Sequence, residues 1–322
     1  MIRARLSHNE NPFGFPKEIL LRVAHRISED AISRYVAAPT KELREELTKY
    51  IRETARADFL NEKWITVTPG ADGGISLCMM LKPKRVVFFP PTYYFYYTLS
   101  KIHELEIYDP PLVDDLRVPD VDLKEGDMVF LPNPNNPTGH HFEINEVLKL
   151  LKSPATVVVD EAYFEFSWMT TVKFLRDFSN LIVLRTFSKA FAFAGQRFGY
   201  VISRPENIEK LDEKRNPYNL SSFVMELALE VLRSKEIFLG RIKQIEMERR
   251  RMSEALEAMG LKPFPSQTNF LYFKIPNADD VARKLEDRGV LVRVFWNGIR
   301  VSIGKREENE FFLKTLEEVL KI

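Results

Sequence analysis

Lys189 lies in the run Thr186-Phe187-Ser188-Lys189-Ala190-Phe191, and Arg197 follows eight residues later. The residues before it, Leu181-Ile182-Val183-Leu184, are apolar and partly β-branched, the pattern of a buried parallel strand. At the carboxyl end of such a strand a lysine can enter a desolvated pocket. Burial disfavours the ammonium, so a neutral amine becomes free to form an imine with an aldehyde. A guanidinium nearby suits a phosphate. A lysine after a strand is more often a solvated surface residue, so its companions elsewhere in the chain must decide.

Val157-Val158-Val159 is a second apolar strand, and it ends abruptly in Asp160-Glu161-Ala162-Tyr163. An ionised carboxylate buried there needs a partner, because leaving it unpaired costs several kcal/mol or forces it to protonate. A protonated pyridine nitrogen is one such partner; a helix N-terminus, a metal or a ribose is another. Tyr163 can reach an oxygen on the same ring. In Leu131-Pro132-Asn133-Pro134-Asn135-Asn136-Pro137-Thr138-Gly139, three prolines in six positions forbid helix and central strand, which leaves a rigid loop. Its Asn136 amide can donate to a ring oxygen without adding charge, although Asn, Pro and Gly also form ordinary turns.

The strand Trp64 to Thr68 runs into Pro69-Gly70-Ala71-Asp72-Gly73-Gly74 and then a helix-compatible stretch from Ile75 to Leu81. The backbone at Ala71 and Asp72 can approach a phosphate there. After a strand over Arg85 to Phe89, Tyr93 can stack on a flat ring, and any of Tyr93, Tyr94, Tyr96 and Tyr97 can equally be a core residue. Amine, acid, amide, aromatic ring and phosphate turn together describe a site for lysine-bound pyridoxal 5'-phosphate.

With those residues in view, nearly the whole chain resembles a fold type I pyridoxal phosphate aminotransferase of the histidinol-phosphate aminotransferase group. His8-Asn9-Glu10-Asn11-Pro12-Phe13-Gly14, the Asn133 to Gly139 loop, Asp160 to Tyr163 and the Lys189 segment carry the likeness. The resemblance implies Lys189 as catalytic lysine and cofactor anchor, Asp160 on the ring nitrogen, Asn136 and Tyr163 on the ring oxygen, and Tyr93 on the ring face. It places the cofactor phosphate on Ser188, Arg197 and the backbone of Ala71 and Asp72, with Tyr35 supplied by a second subunit, hence a homodimer. Arg293 and Arg300, helped by Asn269 and Asn11, would bind the substrate. The substrates would be a phosphorylated amine and 2-oxoglutarate, in histidine biosynthesis. Threonine-phosphate decarboxylases and broader aromatic or histidine aminotransferases resemble the chain across the same motifs. Relatives have an N-terminal arm that this chain, beginning eight residues before Asn9, is expected to lack, and Gly73-Gly74 predicts a looser phosphate turn than theirs.

The positioning elements read as α/β. From about residue 30 to 235, apolar strands alternate with helical stretches, the pattern of a mainly parallel sheet with helices on both faces. Apolar residues spaced three or four apart from Phe238 to Met259 predict one long helix ending at Gly260. Strand-like Asn269 to Ile275, a helix over Asp279 to Arg288, and a final helix from Glu308 form a smaller α/β domain. Between them, Arg293 and Arg300 lie on two strands joined by a Trp296-Asn297-Gly298 turn and project toward one cleft. The expected division is a large domain over 30–236, a bridging helix and small domain over 237–322, and an N-terminal segment, 1–29, joining the small domain.

A formal charge of +1 over 322 residues gives no reason to invoke nucleic acid, and Arg249-Arg250-Arg251 after Glu246 and Glu248 reads as a solvated helix face. One cysteine, Cys78, excludes an internal disulfide; the five histidines lack metal-ligand spacing, so no metal is expected. With no bilayer-length apolar run and no signal-peptide pattern, no membrane partner is expected and the cytoplasm is the expected location.

Overall fold

The computed structural model describes residues 2–36, 39–113 and 116–321. Its strands are β1 (Ala4–Arg5), β2 (Ile65–Thr68), β3 (Arg85–Val87), β4 (Glu106–Tyr108), β5 (Asp127–Pro132), β6 (Thr156–Asp160), β7 (Leu181–Thr186), β8 (Gly199–Ser203), β9 (Phe270–Lys274), β10 (Val290–Leu291), β11 (Arg293–Phe295) and β12 (Gly298–Ser302). Seven of them form one sheet in the order β2-β8-β7-β6-β5-β3-β4. The β3, β4, β5, β6 and β7 strands run parallel, whereas β8 is antiparallel to both of its neighbours. Side chains alternate between two buried faces: Val129, Leu131, Val157, Val159 and Val183 in one core, Met128, Phe130, Val158, Ile182 and Leu184 in the other. That double burial is why these strands read as continuous apolar runs.

The register brings the chemistry to one edge. Pro132 pairs with Asp160, and Asp160 with Leu184, so the proline loop, the acid and the lysine segment leave the sheet side by side. Because β8 runs the other way, Arg197 reaches the same edge just before that strand begins rather than after it ends. Gly199 makes this possible: a Cβ there would sit 2.5 Å from the Gly70 carbonyl carbon and 2.8 Å from the Arg185 oxygen. The helix expected from Ile75 begins earlier, at Gly70, and runs to Met80. Gly73 and Gly74 therefore do not loosen a turn. They lie inside the helix, where a Cβ on Gly74 would press Leu184 at 3.0 Å and Val201 at 3.2 Å.

A three-stranded antiparallel sheet, β11-β12-β9, forms a second body; helix Ala278–Asp287 packs on β11 and β12, and helix Arg306–Leu320 packs in turn on that helix and on β1. The long helix, Lys235–Ala258, packs on both bodies and is followed by Gly260 at φ +81. The N-terminal segment is shared. The short β1 pairs with β10, but helix Lys17–Arg26 packs on helix Ser222–Arg233 and engages Glu230 through Arg22 and Arg26. The arginine cluster is not a uniformly solvated face either. Arg249 donates to the Thr268 carbonyl, Arg251 pairs with Glu248 at 2.8 Å, and Arg250 is the exposed member. Among the described residues no helix is long and apolar enough to cross a membrane.

Beneath β6 and β7 lies a buried polar network. Arg185, itself fully buried, donates through Nε to Glu161 at 3.0 Å and through Nη2 to Thr170 at 2.7 Å, with its guanidinium 3.5 Å over the Phe164 ring. Glu165 accepts from Tyr50 at 3.0 Å. Burial pushes the Glu165 carboxyl up to about 7, against the opposing pull of Arg185. A folded-state value above the ordinary glutamate range means that the folded chain binds the extra proton. Stability is therefore lost as pH rises from the ordinary value through about 7. Glu165→Gln keeps an acceptor for Tyr50 without the charge, so its stability relative to wild type should increase from pH 5 to pH 8. Urea midpoints at the two pH values check this, and an unchanged difference would mean that Glu165 ionises in the fold without penalty.

Candidate active site

A cleft of about 490 Å³ opens at the edge where β5, β6 and β7 end, and its far wall comes from the β11–β12 hairpin. Asp160, Tyr93, Asn136, Tyr163, Ser188, Lys189, Arg197, Arg293 and Arg300 all line it, with Ala71 and Asp72.

Asp160 is buried. One carboxylate oxygen accepts from Tyr96 Oη at 3.1 Å and the other from the Ala162 N–H at 3.1 Å, while among the described residues no cation pairs with it. Desolvation pushes it up to about 7. The acid thus faces the cleft with its negative charge uncompensated, which is the condition under which a bound cation gains most. Lys189 is half-buried, and its Nζ donates weakly to the His8 carbonyl at 3.4 Å.

Two side chains are set as donors by their other partners. Arg300 can only donate, so its 2.7 Å contact fixes Oδ1 of Asn136 as the acceptor and leaves Nδ2 for the cleft. The Tyr163 oxygen accepts from Asn9 Nδ2 at 2.9 Å, which leaves the phenolic O–H to donate. Asn9 is held in turn: its N–H reaches Ser302 Oγ at 2.8 Å and its carbonyl accepts from Asn269 at 2.9 Å.

At the other end, the helix that begins at Gly70 has Pro69 at its cap position and no capping side chain, so its first-turn N–H groups remain available. Arg197 sits in the left-handed region at φ +57 and aims Nη2 at Asp72 (2.7 Å) and Nη1 at Ser188 Oγ (3.3 Å). Tyr93 donates to the other Asp72 oxygen at 3.1 Å. The close approach of Arg197 leaves no room for a Cβ on Gly70, where one would lie 2.5 Å from Nη2.

The hairpin places Arg293 directly opposite Arg300 in register, on one face of the small sheet. Its tip is a two-residue turn, Trp296 (φ +42) and Asn297 (φ +61), with Gly298 already paired to Phe295 rather than part of the turn. Arg300 is 6% exposed, gives Nη2 to the Ser7 carbonyl at 2.8 Å, and has neither a partner for Nε nor a carboxylate among the described residues. Burial lowers its pKa. A buried cation lacking an anion complements the buried anion lacking a cation.

Two expected substrate residues do not line the cleft. Asn11 spends its amide on the Ala190 carbonyl (2.9 Å) and the Phe13 N–H (3.1 Å), and Asn269 gives its Nδ2 to the Asn9 carbonyl, while its buried Oδ1 has no partner among the described residues. Their geometry is that of brackets for the N-terminal segment. Tyr35 lies elsewhere, highly exposed, with its ring tilted against that of Tyr218 at 4.7 Å between centroids. Sequence reasoning missed Tyr96, one of four tyrosines in five residues, and Asn9, two positions before the asparagine it chose.

The chain matches the family model for aminotransferase class I and II over residues 3–316. A histidinol-phosphate aminotransferase of Thermotoga maritima is 42% identical over 314 residues, covering 97% of this chain and 92% of its own. Among solved structures, a histidinol-phosphate aminotransferase from Sinorhizobium meliloti in complex with pyridoxal-5'-phosphate superposes with a TM-score of 0.83 at 24% identity, over 99% and 91% of the two chains. An L-threonine-O-3-phosphate decarboxylase from Porphyromonas gingivalis superposes with a TM-score of 0.85 at 21% identity, over 99% and 100%. Those two likenesses establish the fold, in which both reactions occur. The family match across nearly the whole chain, with a relative this similar over the same span, places the chain in the aminotransferase class I and II family.

Proposed function

We propose that the chain transfers the amino group of histidinol phosphate to 2-oxoglutarate with pyridoxal 5'-phosphate, giving imidazole acetol phosphate and glutamate, as a cytoplasmic homodimer in histidine biosynthesis. The observation that carries the reaction is the pairing of opposites in one cleft: among the described residues Asp160 is buried without a cation and Arg300 without an anion, and Lys189 lines the cleft with both. The near full-length similarity to proteins named for histidinol phosphate supports the choice of substrate. For the dimer, Tyr35 at 86% exposure supports a role outside its own cleft, on the partner's cofactor phosphate.

The residues fit the cofactor on physical grounds. Asp160 would hold the proton of the ring nitrogen, Asn136 Nδ2 and the Tyr163 O–H would donate to the ring oxygen, and Tyr93 would cover the ring. Ser188, Arg197 and the free N–H groups at Ala71 and Asp72 would grip the phosphate. When bound, the group supplies an aldehyde for the amine and a protonated ring that withdraws the electron pair released at the substrate carbon. Lys189 Nζ would hold that aldehyde and, as a free amine, would be the group that takes a proton from the substrate carbon and gives it back. Arg300 and Arg293 orient the substrate by its phosphate.

The absorbance spectrum of the cofactor-loaded protein, before and after histidinol phosphate is added without a keto acid, tests this. Conversion of the cofactor from its aldehyde to its amine form is expected. An unchanged spectrum together with carbon dioxide release from threonine phosphate would replace transamination with decarboxylation. Arg300→Ala should raise KM for histidinol phosphate by roughly 10²-fold, the loss expected for a buried charge-assisted contact. Steady-state kinetics check this, and a KM within twofold of wild type would place the phosphate elsewhere.

A further inference from the structure

We propose that His8 is a third ligand for the anionic group of the substrate, adding a charge to Arg293 and Arg300 only when that group is bound. The inference rests on the proposed function and specifies its substrate subsite. His8 lines the same cleft as both arginines. Its backbone is fixed from two sides: the preceding carbonyl, of Ser7, accepts from Arg300 at 2.8 Å, and its own accepts from Lys189 at 3.4 Å. The next residue, Asn9, is anchored to Ser302. The ring is oriented as well, with Nδ1 2.7 Å from Ser7 Oγ, and among the described residues Nε2 has no hydrogen-bond partner.

The charges around the imidazole explain why a histidine suits this position. Arg293, Arg300 and Arg5 repel a proton there; Glu10 attracts one but is itself paired with Arg5 at 2.6 Å, and the Lys189 amine meets the His8 backbone carbonyl at 3.4 Å. Although His8 is exposed overall, partial desolvation of its ring, then Arg293, holds it below its ordinary value, which disfavours a third cation in the empty cleft. A phosphate dianion between the arginines cancels the repulsion and adds an attraction of its own. The ring then gains a proton as the anion binds, and Nε2 becomes a charged donor. A lysine at this position would repel both arginines in the empty cleft.

Sulfate is the probe, because it is a tetrahedral dianion that does not titrate in this range. Calorimetry on the holoenzyme, with Arg300→Ala as the control for site, should show His8→Ala weakening sulfate about tenfold at pH 6, the value of one charge-assisted hydrogen bond, and converging on wild type by pH 9. His8→Gln, which can hydrogen-bond but not titrate, should behave like alanine. The KM for histidinol phosphate should follow the same ratio, and histidinol, lacking the phosphate, should not respond. A ratio near one at pH 6, or an equal loss at both pH values, would overturn the proposal. If the ratio is found with sulfate while histidinol phosphate leaves the cofactor unconverted, the anion ligand stands and the transamination reading falls.

Discussion

Lys189→Ala should lower kcat by on the order of 10⁴-fold or more, because one atom, Nζ, is proposed both to hold the aldehyde and to move the proton. The neighbouring Arg197 is directed away from that position, at Asp72 and at Ser188. The variant should still take up the cofactor, since the proposed phosphate and ring contacts come from other residues, and its far-UV circular dichroism should match wild type. Arg197→Ala should behave in the opposite way. It removes a proposed phosphate contact on a side chain that is 43% exposed, so the expected loss is in cofactor affinity, recoverable by adding excess cofactor. Near-normal turnover by Lys189→Ala, measured as glutamate formed from 2-oxoglutarate, would refute the assignment.

Asp160→Asn should lower turnover by roughly 10²- to 10⁴-fold, since its amide oxygen can accept from the Ala162 N–H and its NH2 can donate to the Tyr96 oxygen, but it offers no negative charge to a protonated ring. The same substitution should stabilise the protein without its cofactor. The buried carboxyl is pushed up to about 7, so the empty fold resists ionising it and loses stability as pH rises from the ordinary aspartate range through that value. Asparagine removes the penalty. In urea, the cofactor-free variant should therefore gain on wild type between pH 5 and pH 8, and the gain should shrink once both proteins are loaded. A variant less stable than wild type at pH 8 would mean that Asp160 already has a compensating charge in the empty cleft.

What could be read beforehand follows the range of the interactions involved. The strands that end in Asp160 and lead to Lys189 were visible because burial on both faces writes an uninterrupted apolar run. The Arg293–Arg300 pair was visible because period-two spacing around a short turn forces two residues onto one face. The antiparallel β8 was not, since strand direction depends on neighbours far along the chain. Tyr96 was hidden for a different reason: four tyrosines in five residues offer no local signal for which of them the helix from Phe95 to Ile102 turns toward Asp160. The network of Arg185, Glu161 and Glu165 was equally silent, because a charged residue in a strand announces itself as exposed until its partners are known.

The groups proposed for chemistry leave one sheet and those proposed for substrate leave another, and Arg300 ties the two through Asn136 and Ser7. This arrangement divides what can be altered independently. Changes in the β11–β12 hairpin can redraw the range of accepted amines while leaving the reaction intact. Arg300 is the exception, because it also orients a donor meant for the cofactor, so exchanging it trades selectivity against reactivity in a single step.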